Sequence, residues 1–197
     1  MTDTTAVIHP KLHHVNLKTT RLQEMIDWYG EVVGTEVVFQ DATGAWLSND
    51  AANHRVALLA FPGFADDPDK DTRTGMHHSA FEFDSFDDLN AHYLRLRQAG
   101  ITPDICIDHG MTFSYYYRDP DGNHVELQSD NFGDWAASRK WMETSAEFQA
   151  NPIGHFVDPE KVAAAAAAGQ PFSEIHRRAM VDELAPERPP VEIPTEG

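Results

Sequence analysis

Leu12-His13-His14-Val15-Asn16-Leu17-Lys18 and His77-His78-Ser79-Ala80-Phe81 are the two stretches on which the reading of this chain turns. Side chains alternate across a strand, so the first stretch puts Leu12, His14, Asn16 and Lys18 on one face and His13, Val15 and Leu17 on the other. Leu22, Met25, Ile26, Tyr29, Val32 and Val33 then recur at helical spacing after a cap expected at Thr19 or Thr20, and Gly34 stops the helix. Three short strand-like segments follow, Glu36 to Gln40, Ala45 to Ser48 and Arg55 to Phe61, parted by turn residues such as Thr43-Gly44 and Asn49-Asp50. The unit is βαβββ.

The same order returns after the second stretch. Ser85 reads as a helix cap, and Phe86, Leu89, Tyr93, Leu94 and Leu96 as an apolar stripe ending at Gly100. Asp104 to Ile107, Thr112 to Tyr117 and His124 to Gln128 supply three more strands, the last two joined by the turn Asp119-Pro120-Asp121-Gly122. A shift of 64 residues lays His13-His14 on His77-His78, Leu22 on Phe86 and Tyr29 on Tyr93, so the pattern is an internal duplication. Pro62 to Thr74, rich in Pro, Gly and Asp, reads as the linker. The expected class is α+β, with two paired βαβββ modules, about residues 10-61 and 76-128, forming one open, curved mixed sheet around a metal site within a domain of residues 1-130.

Residues 131-197 differ in composition and read as a helical C-terminal extension. Helices are expected over Phe132 to Phe148, over Pro159 to Ala168 with its alanine run, and over Phe172 to Glu183, with a frayed end from Pro186 to Gly197. The extension packs either on the paired module or on a second subunit, and the sequence leaves both open.

Composition narrows the function. With 15 Lys and Arg against 32 Asp and Glu, the formal charge of -17 repels nucleic-acid phosphates and anionic membrane surfaces, so neither is an expected partner. No apolar run is long enough to span a bilayer, and Met1 to Pro10 lacks the basic start and apolar stretch of an export signal. Cys106 is the only cysteine, which rules out an internal disulfide or a thiolate metal cage and fits a reducing cytoplasm; its apolar strand marks it as buried and inert. A homo-oligomer is expected.

Strand parity selects the candidate site. His14 goes with Asn16, His78 with Ala80 and Glu126 with His124, whereas Val15, Leu17, Phe81, Phe83, Val125 and Leu127 make the apolar, helix-covered face. His14, His78 and Glu126 therefore point away from the core. Two imidazoles and a carboxylate on one face of a metal leave coordination positions open, an arrangement suited to Fe(II) and oxygen chemistry, although Zn or Mn(II) accepts the same donors. His13 and His77 face the helix layer on this register and become the alternative ligands if it slips by one.

Paired βαβββ modules with ligands at these positions resemble the vicinal oxygen chelate superfamily of glyoxalases, bleomycin and fosfomycin resistance proteins and extradiol dioxygenases, over roughly residues 10 to 128. The segment His109, Gly110 to Ser114, Tyr115, Tyr116, Tyr117-Arg118, Asp119, Pro120, Asp121, Gly122, Asn123 to Val125, Glu126 resembles the extradiol dioxygenase signature, departing from it at Tyr115, where an aliphatic residue or Phe is usual. Asn53 to Leu58 resembles the segment in which these enzymes place an acid/base histidine, here His54, with Arg55 in place of Ser or Thr. The resemblance implies a type I, single-domain extradiol ring-cleaving dioxygenase that inserts both atoms of O2 into a catechol or related dihydroxy aromatic. It implies Fe(II) on His14, His78 and Glu126, His54 as acid/base, and His109 and Tyr116 as hydrogen-bonding partners of the substrate oxygens.

Two other readings compete. A glyoxalase-like isomerase or lyase would use the metal as a Lewis acid and usually adds a fourth ligand at the first-module position equivalent to Glu126, which the 64-residue shift puts near Pro62, where no carboxylate stands. A non-catalytic resistance protein that holds a small aromatic would need neither the triad nor the signature.

Overall fold

A computed structural model describes residues 8–190 of the chain. The readings made for residues 1–7 and for the frayed end from 191 onward lie outside the described residues. The chain divides between Thr72 and Arg73 into two compact units, each holding one βαβββ module.

In the first unit, β1 (Val15–Lys18) leads into α1 (Leu22–Val33), and β2 (Glu36–Asp41), β3 (Gly44–Ser48) and β4 (Val56–Leu59) follow as a meander. The sheet order is β1-β4-β3-β2, with β4 returning parallel to β1. The apolar stripe of α1 is buried as expected: Met25, Ile26, Tyr29, Val32 and Val33 pack with Leu17, Leu47, Val56 and Leu58, each large side chain contributing roughly 1.5–3 kcal/mol. The helix ends at Gly34, but its expected cap fails. The Thr19 hydroxyl accepts instead from the Arg21 amide at 2.9 Å, the Thr20 hydroxyl donates to Asp66, and the helix starts from Arg21 without a side-chain cap. β1 is shorter than the alternation suggested because its ladder on β4 begins at Val15, opposite Val56. His13 and His14 consequently precede the strand.

The second unit repeats the plan with β5 (His78–Phe83), α2 (Phe86–Gln98), β6 (Ile105–Asp108), β7 (Thr112–Arg118) and β8 (His124–Asp130), and β8 runs parallel to β5. Ser85 caps α2 as expected: its hydroxyl accepts from the Asp88 amide at 3.1 Å and donates to the Asp88 carboxylate at 2.6 Å. Phe86 and Tyr93 on α2 lie edge-on against Phe113 and Tyr115 of β7, which identifies the helix-covered face. The fold is α+β with open mixed sheets, and the backbone ladders form two sheets, one per module.

The extension belongs to the second unit. β9 (His155–Phe156), a two-residue strand absent from the sequence reading, pairs with β6 and makes the order β5-β8-β7-β6-β9. The helix expected over Phe132 to Phe148 is two, α3 (Trp135–Thr144) and α4 (Ala146–Ala150), broken where Ser145 turns to an extended conformation and caps α4 through the Phe148 amide. α5 (Pro159–Ala167) is capped by Asp158 and buries Val162, Ala163 and Ala165. Its Glu160 receives the Tyr93 hydroxyl at 2.6 Å and the Arg97 guanidinium at 2.5 Å, both from α2. α6 (Phe172–Ala179) ends earlier than expected, as Glu183 bonds back to the Arg178 carbonyl and Asp182 turns to φ 59°. Among the described residues no helix is long and apolar enough to cross a membrane.

Candidate active site

Each unit gathers its own group of candidate residues. In the second, the ladder sets Ala80, Glu126 and Tyr116 side by side on β5, β8 and β7, and His78 lies two residues before Ala80 on the same face. Tyr115 and Tyr117 alternate to the helix side and are fully buried, so the parity assigned to Tyr116 is the observed one. His78 Nε2 stands 3.0 Å from Glu126 Oε2, and the Tyr116 hydroxyl lies 2.8 Å from Glu126 Oε1 and 2.9 Å from His109 Nε2. The result is one unbroken line, His78–Glu126–Tyr116–His109.

Electrostatics follow from this geometry. Glu126 is 5% exposed, and burial opposes its charge, yet hydrogen bonds from His78, Ser114 and Tyr116 outweigh burial and hold its carboxyl below the ordinary range. His78 is raised, first by its bond to Glu126. Burial pushes Tyr116 up, and the Glu126 charge adds to the effect, so the phenol keeps its proton. Burial lowers His109 although Glu126 pulls the other way. Its Nδ1 meets the Ile153 carbonyl at 2.6 Å; a carbonyl only accepts, so this nitrogen carries the hydrogen.

In the first unit, one ring nitrogen from each of His13, His14 and His54 lies within 4.8 Å of the other two. The His14 and His54 rings are 4.2 Å apart, and His13 Nδ1 is 3.1 Å from His14 Nδ1. His54 sits in the loop before β4 rather than in the strand. Arg55, at the position where Ser or Thr was expected, anchors that loop: it grips Asp50 at 2.8 and 3.0 Å and reaches the His13 carbonyl at 2.9 Å. Burial lowers His54, with the His14 and His13 charges adding to it.

His13 and His77, expected against the helix layer, are both exposed because neither has entered its strand. Each abuts its neighbour through Nδ1, at 3.1 Å for His13–His14 and 2.8 Å for His77–His78, with rings nearly perpendicular. That leaves Nε2 of His78 to meet Glu126. His124, in register with His78, stacks on His77 at 5.2 Å. Cys106 is buried and its thiol is pushed well up by that burial, so it is unreactive.

The donors suit a divalent metal. Ligand atoms bonded at about 2.1 Å and at right angles to one another lie about 3 Å apart, which is the spacing of His78 Nε2 and Glu126 Oε2. The first-module position equivalent to Glu126 carries no carboxylate, and it is a different position from the one the repeat shift indicated. Glu126 is in register with Ala80 and Ala57 with Asn16, so Ala57, not Pro62, is the equivalent residue. The shift drifts by five residues because α2 is one residue longer than α1 and because six residues, 99–104, join α2 to β6 whereas two, 34–35, join α1 to β2.

Two features escaped the sequence reading. The Ile153 carbonyl is a backbone group and leaves no side-chain signal. Asp108, fully buried at the end of β6, holds His176 Nδ1 at 2.7 Å and the Gly110 amide at 2.9 Å, and its only sequence cue is its place beside His109.

The profile of the Glyoxalase/Bleomycin resistance protein/Dioxygenase superfamily matches residues 11–127. Biphenyl-2,3-diol 1,2-dioxygenase 2 of Rhodococcus globerulus is 41% identical over 180 residues, covering 91% of this chain and 94% of the relative. Biphenyl-2,3-diol 1,2-dioxygenase 3 of the same organism is 41% identical over 172 residues, 87% of this chain and 90% of the relative. A solved glyoxylase/bleomycin resistance protein/dioxygenase domain from Frankia sp. EAN1pec superposes with a TM-score of 0.50 at 20% identity, over 64% of this chain and 96% of that one, a likeness of fold alone. The Rhodococcus matches extend well past the superfamily segment, so the extension is shared with relatives of the same compact size. On the profile match and these identities, the chain belongs to the Glyoxalase/Bleomycin resistance protein/Dioxygenase superfamily.

Proposed function

We propose that the protein is an Fe(II)-dependent extradiol dioxygenase that cleaves a catechol-type ring next to its diol and inserts both atoms of O2, working in the cytoplasm. The observation that carries this reading is the line His78–Glu126–Tyr116–His109, found in a chain that matches biphenyl-2,3-diol dioxygenases over nearly their whole length. His14, at the repeat position equivalent to His78, completes the ligand set with His78 and Glu126. Fe(II) is chosen over Mn(II) from the reaction, since both metals accept these donors.

When bound, the metal supplies a redox-active Lewis acid that draws the diol and O2 together. The side chains do the rest. Tyr116, kept protonated by burial, donates a hydrogen bond to a substrate oxygen. His109, held neutral, presents Nε2 beside that hydroxyl and can accept or return its proton. His54, beside His14, takes a proton from the diol. Insertion of one oxygen next to the diol and hydrolysis of the resulting lactone by the other leave a ring-opened semialdehyde-type acid, so both oxygen atoms are accounted for.

The test is to load the protein anaerobically with Fe(II), add a panel of catechols led by biphenyl-2,3-diol, admit air, and follow oxygen uptake with visible absorbance. Uptake matched by a yellow product and lost in His78→Ala and Glu126→Ala is the expected result. Metal binding without uptake on any diol would reject ring cleavage in favour of Lewis-acid chemistry.

A further inference from the structure

The C-terminal extension closes on the three residues that carry His109. β9 is hydrogen-bonded to the edge of β6, with His155 opposite Asp108 and the Val157 amide on the Cys106 carbonyl. The chain entering β9 therefore crosses the end of β6 directly, and Gly154 lies on the Asp108–His109 backbone: a Cβ there would stand 2.2 Å from the Asp108 oxygen and 2.6 Å from His109 Cα. Only a glycine fits, and its φ of 92° belongs to the region that glycine favours. Asn151 closes the turn from the other side, its amide nitrogen on the Gly154 carbonyl at 2.8 Å and its oxygen on the Gly154 amide at 3.1 Å. On the far flank of His109, the Trp141 ring of α3 fills the space where a Gly110 Cβ would be.

We propose that the extension is a positioning element of the catalytic site, in which the turn from Asn151 to Gly154 aims the Ile153 carbonyl at His109 Nδ1 and fixes that imidazole as the Nδ1–H tautomer. Nε2 then keeps a lone pair 2.9 Å from the Tyr116 oxygen, placed to take the single phenol proton when that proton turns away from Glu126, which accepts it here at 2.8 Å. An imidazole free to exchange tautomers would spend part of its time with Nε2–H pointing at the phenol, where it could only donate. Ile153, Gly154 and Asn151 act through His109 and touch no substrate. This inference rests on the reading of His109 and Tyr116 as catalytic residues.

The experiment reads the tautomer in the full-length, metal-free protein at pH 8 by long-range 1H–15N correlation of 15N-histidine, with His109 assigned from the signals missing in His109→Gln. The expected spectrum shows His109 protonated on Nδ1 alone. In Asn151→Ala and Gly154→Ala its two nitrogens should move toward averaged positions, with kcat for diol cleavage falling about tenfold and KM changing less than twofold, part of the range general acid–base groups contribute. Asn151→Ala adds no atoms and keeps the test decisive if Gly154→Ala does not fold. Protonation on Nε2 in the wild type, an unchanged tautomer in Asn151→Ala, or a changed tautomer with unchanged kcat would overturn the proposal. Because the spectrum needs no turnover, failure of the wild type to consume oxygen would reject the ring-cleavage reading while the tautomer result still judges the positioning role.

Discussion

His78 Nε2 and Glu126 Oε2 stand 3.0 Å apart across neighbouring parallel strands, two donors already at the spacing a shared metal would require. Metal binding should therefore stabilise the folded chain by mass action. At a hundredfold excess over its Kd, Mn(II), a redox-quiet substitute for Fe(II), adds about 2.7 kcal/mol, or roughly 5–10 °C in Tm for a chain of this size. Calorimetry with and without metal checks this. Glu126→Ala should lose the shift, and a shift of equal size in that variant would place the metal elsewhere.

The Tyr116 hydroxyl has one proton and two neighbours able to take it, Glu126 and His109. Tyr116→Phe removes the donor while leaving the ring that packs against His78 at 5.4 Å. We expect kcat to fall about 10²-fold, with metal affinity within threefold of wild type, measured by steady-state oxygen uptake and metal titration. Loss of metal binding would mean that the hydroxyl serves Glu126 rather than the substrate.

The Asp108–His176 pair ties α6 to the end of β6 and gives stability a pH dependence. Burial disfavours the His176 charge, but the bond to the Asp108 carboxylate and its charge outweigh burial and raise the imidazole above its ordinary value. A raised histidine contributes stability that is complete below the unfolded value of about 6.5 and is lost as pH rises through the folded value. The destabilisation caused by His176→Ala should be about 2 kcal/mol at pH 6 and shrink toward pH 9. Urea midpoints at the two pH values measure it, and a penalty that is flat with pH would contradict the charged pairing.

Glu160 provides a control on the extension away from His109. It accepts from Tyr93 and Arg97 on α2, so Glu160→Ala should cost about 1–2 kcal/mol by leaving the buried Tyr93 hydroxyl without that acceptor. Neither kcat nor KM should change, as steady-state kinetics beside a urea titration will show.

What the sequence disclosed was the part governed by periodicity. Alternation along β7 and β8 put Tyr116 and Glu126 on the face opposite Tyr115, Val125 and Leu127, and the structure has them there because a buried helix-side face forbids a one-residue slip. The repeat of His13-His14 in His77-His78 disclosed the duplication. Local competition was not legible. Thr19 looked like a cap but its hydroxyl turned to Arg21, and Ser145 inside an apparently helical stretch became the boundary of two helices. Neither was the exposure of His13 and His77, which depends on where the partner strand starts rather than on their own parity. Least legible was the Ile153 carbonyl, because β9 is two residues long and the group that reaches His109 is backbone.

Isotope labelling tests most directly whether both atoms of O2 enter a ring opened beside its diol. The Fe(II)-loaded protein is given biphenyl-2,3-diol under 18O2 in unlabelled water, and the product is analysed by mass spectrometry at short reaction times. We expect a yellow ring-opened acid carrying two 18O atoms, absent with Glu126→Ala. Unchanged diol, or a product carrying a single 18O with the ring intact, would contradict ring cleavage.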